Sequence, residues 1–256
     1  MVSLANDDFD WQGHVVFVGW DEFSRLVLRR LLKSSRRVAV ITEKPDVPNE
    51  IGEEYSDEEV VAIHRHLNHY ESFTEVNIEQ SQRVFINLDS DDQSLLSILK
   101  MKELYEGLQF VAVLRNDELK ETFENAGVSY AVSRYVIASR LTTGLMYEPA
   151  VGELEEDLVA GTETSDDYDL QQYYISEDNR FCGNEYGELF WEMKNDLNCL
   201  CVGLSKKTGD GDRELIKDPS EDLTLSEGDY VLMIVQQTDE TKLQDIFGVR
   251  EGLVTS

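Results

Sequence analysis

Apolar positions in the first half of the chain fall in short blocks separated by helically spaced segments. His14–Val18 is a continuous apolar run stopped by Gly19; behind it Phe23, Leu26, Val27, Arg30 and Leu31 recur as one helix face. The pattern predicts a strand, a tight turn and a helix, the opening of a βαβ unit. Further strands are predicted at Arg37–Thr42, Val60–His64, Arg83–Leu88, Phe110–Leu114 and Ser129–Val132. Between them, Asn49–Glu59 reads as an acidic short helix or loop, and Asp91–Tyr105 as a helix with Leu95, Leu96, Leu99 and Leu104. Asp117–Asn125 reads as a shorter helix ended by Gly127. Strands alternating with helices predict an α/β fold, a doubly wound parallel sheet of Rossmann type, with helices on both faces.

Arg134–Tyr147 is helical in pattern, but its apolar residues are not confined to one stripe, and it lies where the sheet is already complete. Pro149 is expected to stop it. Surplus apolar surface outside a finished domain packs on another subunit, so Tyr135, Ile137, Leu141, Leu145 and Met146 are candidate dimer-interface residues. Glu153–Asp169 holds eight acids and no base and reads as a hinge. From Leu170 the pattern changes. Short strands are predicted at Gln172–Ile175, Cys199–Leu204, Glu214–Ile216 and Tyr230–Val235, and helices at Glu185–Met193 and Asp239–Phe247. Turn signals are dense, as at Gly209-Asp210-Gly211. The expected organisation is a leader or linker over 1–13, a Rossmann-like domain over 14–133, a crossover helix and acidic hinge over 134–169, and a small α+β domain over 170–256.

Composition narrows the function classes. The chain has 256 residues, is 41% hydrophobic and carries a formal charge of -29. That charge argues against binding nucleic acid or anionic lipid. It leaves a solvated acidic surface, as in a salt-rich cytoplasm, or a surface that gathers cations. No apolar run approaches the roughly 18–20 residues of a membrane span, and the polar, acidic Met1–Gln12 is not a signal peptide. Three cysteines, an odd number, point to a reducing setting. Cys199 and Cys201 share one side of a strand and read as small core residues.

The first turn reads Gly19-Trp20-Asp21-Glu22-Phe23-Ser24 where a dinucleotide fingerprint would read G-x-G-x-x-G. Gly19 supplies the turn and the helix start offers free N–H groups. Asp21 and Glu22 cap that helix but repel a pyrophosphate, and Ser24 stands where the last glycine would pack. Glu43 ends the second strand, where a Rossmann fold holds a ribose, or is a plain solvated strand end. Asp89, Asp91 and Asp92 form either a divalent-cation site or an acidic helix start. His64, His66 and His69 are close enough in sequence to bind a metal or sense pH, or are solvated loop histidines. There is no nucleophile elbow, P-loop or placed acid–base pair, so an enzyme is not expected.

Both halves together resemble the RCK (regulator of potassium conductance) family of prokaryotic potassium channels and Trk/Ktr-type transporters. The residues that carry this are His14–Trp20, Arg83–Leu88 with the acids after it, Glu124–Val132 and Val136–Leu145, then Cys199–Leu204, Asp218-Pro219 and Leu225–Val231. The Gly-Trp pair is more like the channel branch. The resemblance implies a cytoplasmic gating module at the inner face of the cell membrane, dimerising through the crossover helix into an octameric ring. The pore it acts on would lie on the same full-length chain or on a separate subunit. The alternative is a nucleotide-binding regulatory subunit of a Trk/Ktr-type transporter. The family's ligands imply an adenine nucleotide or NAD(H), or a divalent cation, with Gly19, Asp21, Ser24, Glu43, Asn87 and Arg115 as nucleotide-site candidates. Nucleotide-holding members tend to carry a Gly-Asp pair where this chain has Arg65-His66. The family's calcium positions align here with Asn87, Val113 and Arg115, of which neither Val113 nor Arg115 can ligate a hard cation.

Overall fold

The computed structural model describes residues 9–160, 168–208 and 213–253. It divides into two compact units, Met1–Arg140 and Leu141–Ser256.

In unit 1, six parallel strands pair in the order β3-β2-β1-β4-β5-β6. They are β1 (Val15–Val18), β2 (Val38–Thr42), β3 (Val60–His64), β4 (Arg83–Ile86), β5 (Phe110–Leu114) and β6 (Tyr130–Ser133). The helices between them are α1 (Glu22–Lys33), α2 (Val47–Glu54), α3 (Asp91–Leu104) and α4 (Lys120–Asn125). Val15 through Val18 sit opposite Val38 through Ile41 on one side and Arg83 through Ile86 on the other. Successive residues of β1 enter different cores. Val16 and Val18 join Ile41, Ile86, Ile98 and Phe110 on one face; Val15 and Phe17 join Val40, Leu28 and Phe85 on the other. Covering both faces is what makes a parallel strand read as an unbroken apolar run.

Two helix faces differ from expectation. On α1 the buried residues are Ser24 and Leu28, while Leu26 is 52% exposed. On α3 the buried residues are Ser94, Ser97, Ile98 and Met101, and Leu96, Leu99 and Leu104 face outward. Small serines allow a helix to lie close to its sheet, and their hydroxyls find partners: Ser94 donates to the Ser90 carbonyl at 3.0 Å, and Ser97 pairs with the Tyr70 hydroxyl at 3.3 Å. Close approach therefore decided the inward face, against the leucine count. In α2, Pro48 lies within the first turn, where its missing N–H costs nothing.

The strand-following helix α5 (Arg134–Tyr147) contains no buried residue, although part of it is half-buried. The helix ends at Tyr147, before Pro149, as expected, but Pro149 does more than stop it. It opens α6 (Pro149–Ala160), so the acids Glu153–Asp157 are helical; of the expected hinge, 161–167 lies outside the described residues, and Tyr168 and Asp169 begin the next strand. A Cβ on Gly152 would come within 2.5 Å of the Leu145 amide nitrogen, so the two helices meet backbone to backbone.

In unit 2 the strands are β7 (Tyr168–Tyr174), β8 (Leu200–Lys207), β9 (Arg213–Lys217) and β10 (Tyr230–Gln236), antiparallel in the order β7-β10-β8-β9. The helices α7 (Tyr186–Leu197) and α8 (Glu240–Phe247) supply Leu189, Met193, Leu243 and Phe247 to one core with Tyr173, Val231, Met233 and Val235. Cys199 and Cys201 are buried in that core; burial pushes the Cys199 thiol up to about 11 and raises that of Cys201 too, so both are inert apolar groups at neutral pH. The predicted turn at 209–211 lies outside the described residues.

Candidate functional site: the carboxyl edge of the parallel sheet

The strand order reverses direction between β1 and β4, and in open α/β sheets the carboxyl edge at that switch point is where ligands bind. Gly19 leaves β1 there with φ +94°, and a Cβ on it would lie 2.2 Å from the Asn87 carbonyl oxygen. The glycine is needed for the approach of two chain segments at the ends of β1 and β4.

Asp21 is the N-cap of α1. Its Oδ1 accepts from the Ser24 amide at 2.9 Å, the Ser24 hydroxyl at 3.2 Å and the Asn87 amide nitrogen at 2.6 Å. Its Oδ2 faces the Arg134 guanidinium at 3.4 Å. Ser24 Oγ also accepts from Asn87 at 2.9 Å, and both residues are buried. Partial burial by itself pushes the Asp21 carboxyl up, but the Ser24 and Asn87 hydrogen bonds and the Arg134 charge outweigh it and hold the group below its ordinary range. Arg134 also lies over the Phe23 and Tyr135 rings, 5.7 and 5.6 Å from their centroids.

The other predicted residues lie around this knot. Glu43 follows β2, but its Oε1 accepts from the Leu67 amide at 2.9 Å and faces His66 Nδ1 at 3.5 Å. His64 Nε2 lies 3.2 Å from the Glu43 carbonyl, and the His64–His66 and His66–His69 ring centroids are 6.5 and 5.6 Å apart. Asp91 accepts from the Arg115 and Asn116 amides at 2.9 and 2.8 Å, tying α3 to the end of β5, and Asp89 pairs loosely with the Arg115 side chain at 3.5 Å. Asp92 is exposed and Val113 is in the core. Among the described residues no group of three or more His, Cys, Asp or Glu side chains is arranged to hold a metal ion. Tyr135, Ile137, Leu145 and Met146 on α5 are exposed, and Leu141 is half-buried. No described helix is long and apolar enough to cross a membrane.

The family model described as the TrkA-N domain matches residues 15–134. Residues 15–134 are a TrkA-N domain. This is the RCK-type domain that the sequence resemblance implied, and the match ends on Arg134 itself. A probable ion channel, POLLUX, from Oryza sativa subsp. japonica is 21% identical over 262 residues, covering 94% of this chain and 26% of its own. The human SLO3 gating ring superposes with a TM-score of 0.70 at 16% identity, over 91% of this chain and 49% of that one, and shares the fold. A GsuK channel bound to NAD aligns over 94% of this chain and 40% of its own, at 15% identity and a TM-score of 0.44. The chain thus spans about a quarter of the curated relative and about half of the gating-ring chain.

Sequence reasoning missed two cations of the TrkA-N domain. In the sequence Arg134 is only the first residue of a predicted helix. Lys44, just beyond Glu43, turns back so that Nζ donates to the Trp20 carbonyl at 2.7 Å. A basic residue directly after the second strand was the available signal for Lys44; nothing local marked Arg134.

Proposed function

We propose that this chain is a regulatory module of a potassium channel, a ligand-sensing part of a gating ring that acts by hinge motion within a dimer-based assembly. The observation that carries this reading is a TrkA-N domain followed directly by a helix that buries none of its residues, α5, with Tyr135, Ile137, Leu145 and Met146 exposed. Such a face is covered by a second copy. The fold shared with the human SLO3 gating ring and the similarity to the ion channel POLLUX support the same role. Its partners are then a potassium-conducting pore and its own copies, its place is the cytoplasmic side of the membrane, and its work is binding rather than catalysis.

Size-exclusion light scattering tests the assembly. A dimer or larger species is expected, and Ile137→Asp with Leu145→Asp shifts it to a monomer; a strict monomer of the unaltered chain at high concentration overturns the reading. Rubidium flux through the pore in vesicles, with and without the module, tests the regulation. The second reading, a nucleotide-binding subunit of a Trk/Ktr-type transporter, is favoured by Glu43 at the end of β2, and calorimetric titration with NADH, ATP and ADP addresses it.

A further inference from the structure

We propose that Asp21 sets the ligand specificity of the TrkA-N cleft: its carboxylate is an internal anion that takes the Ser24 and Asn87 donors a phosphate would use, excludes phosphate-bearing ligands, and pins the first residue of α5 across the switch point. This rests on reading unit 1 as a ligand-sensing module.

A dinucleotide turn receives a pyrophosphate because three conditions meet: helix N-terminal amides are free, glycines leave room, and no fixed negative charge opposes the ligand. All three are altered here. The Ser24 amide is already donated to Asp21 Oδ1, as is the Asn87 side-chain amide. Gly19 is used against the Asn87 carbonyl, and the position of the last glycine is filled by Ser24, whose hydroxyl is engaged with both Asp21 and Asn87. The fixed charge is Asp21 itself, partnered by Arg134. The cation that could greet a phosphate is thus held by a carboxylate of the same chain.

The knot gathers separate parts of the fold. Asp21 belongs to the β1–α1 turn, Asn87 to the end of β4 and Arg134 to the start of α5; Lys44 fastens the end of β2 to the Trp20 carbonyl beside them. Arg134 is therefore a positioning residue for α5, the helix with the exposed apolar face. A phosphate could enter only by displacing Asp21 from Arg134, and that exchange would release α5. Cleft occupancy and the attitude of the assembly helix then depend on one ion pair.

Calorimetry on the whole chain with adenosine, ADP and NADH tests this, using the unaltered chain and Asp21→Asn. Asparagine still caps the helix but carries no charge. ADP and NADH are expected to bind the unaltered chain no more tightly than adenosine, and at least ten-fold more tightly to Asp21→Asn, with adenosine unchanged. Asp21→Ser, another good N-cap, repeats the test if the first variant fails to fold. Amide exchange over Tyr135–Ser139 is expected to rise about ten-fold in Asp21→Asn. The proposal is overturned if the unaltered chain prefers ADP to adenosine, if neither variant gains affinity for ADP or NADH, or if exchange in α5 is unmoved. Light scattering separates the two ideas. A specificity that does not respond to Asp21 leaves the gating reading standing, and a monomer that responds overturns the gating reading alone.

Discussion

Asp21 in unit 1 and Asp229 in unit 2 both fasten the chain through a carboxylate, and the two are built differently. In unit 2, Asp229 is 1% exposed and accepts from Lys206 Nζ at 2.9 Å and from the Ser226 and Lys207 amides at 2.8 and 3.1 Å. Its partners come from its own turn and the neighbouring strand β8. In unit 1, Asp21 is a third exposed at its side chain and draws on Asn87 and on Arg134, 113 residues away. The difference follows from the sheets. Parallel strands send all their carboxyl ends, and the N-termini of the helices that follow, to one edge, where polar groups from distant segments collect. Antiparallel strands alternate in direction, so no edge gathers them. A knot at a parallel edge lies where open α/β sheets bind ligands, and a knot inside an antiparallel turn serves the fold.

The largest expected effect is Asp229→Ala. It leaves the Lys206 ammonium, 21% exposed at its side chain, with only the Thr224 carbonyl at 2.7 Å and takes the acceptor from the Ser226 and Lys207 amides; breaking a buried pair of this kind costs about 3–5 kcal/mol. Trp191 fluorescence in unit 2 should report early unfolding while the buried Trp20 in unit 1 is unmoved; a loss below about 1 kcal/mol would make Asp229 no more than a surface contact. Next is a helix-face contrast. Leu28→Ala empties a fully buried position and should cost about 2–5 kcal/mol, whereas Leu96→Ala, at a 57% exposed site, should stay within about 0.5 kcal/mol in denaturant titration of the isolated chain. Equal costs would put the α3 leucines back in the core.

Two glycines sharpen the same contrast. Gly19 and Gly228 have φ of +94° and +91°, but a Cβ on Gly19 meets backbone at 2.2 Å, while one on Gly228 meets the movable Lys207 Cδ at 2.8 Å. Gly19→Ala should cost about 2–4 kcal/mol and Gly228→Ala about 1 kcal/mol, read from paired melting curves. If the order reverses, the close approach at the ligand edge is not a constraint.

The smallest effects are in pH. Asp21 has a depressed carboxyl, so its stabilisation is present above the ordinary carboxylate range and lost as pH falls through its lower folded value. Asp21→Asn should flatten the acid limb of the stability curve. His14 sits at the opposite edge, with Nε2 2.8 Å from the Val76 carbonyl and Nδ1 without a partner among the described residues. Burial, with the Arg37 charge adding to it, lowers its affinity for a proton although the Val76 bond favours one. Its folded value is below the unfolded one, so stability falls as pH drops from about 6.5. His14→Gln should remove that slope, and a slope that survives in the variant would assign it elsewhere.

Much of this protein was legible along the chain. Apolar runs and turn residues are local signals, so Val15–Val18, Val38–Thr42, Val60–His64 and the helix after Gly19 could be read directly. The inward faces of α1 and α3 could not, because the distance between helix and sheet chose Ser24, Ser94 and Ser97 over exposed leucines. Pro149 was ambiguous for a similar reason: the same fixed φ that ends one helix starts another.

The sequence by itself determined the alternation that makes a parallel sheet, the altered first turn, and the acids and glycine within it, since each is set by neighbours a few residues apart. Only the tertiary structure decided what those acids do. Asn87 and Arg134 reach Asp21 across 66 and 113 residues because the sheet order places β1 beside β4 and brings the start of α5 to the same edge. Sign and strength of an electrostatic site depend on distances between remote groups, and those exist only once the chain has folded.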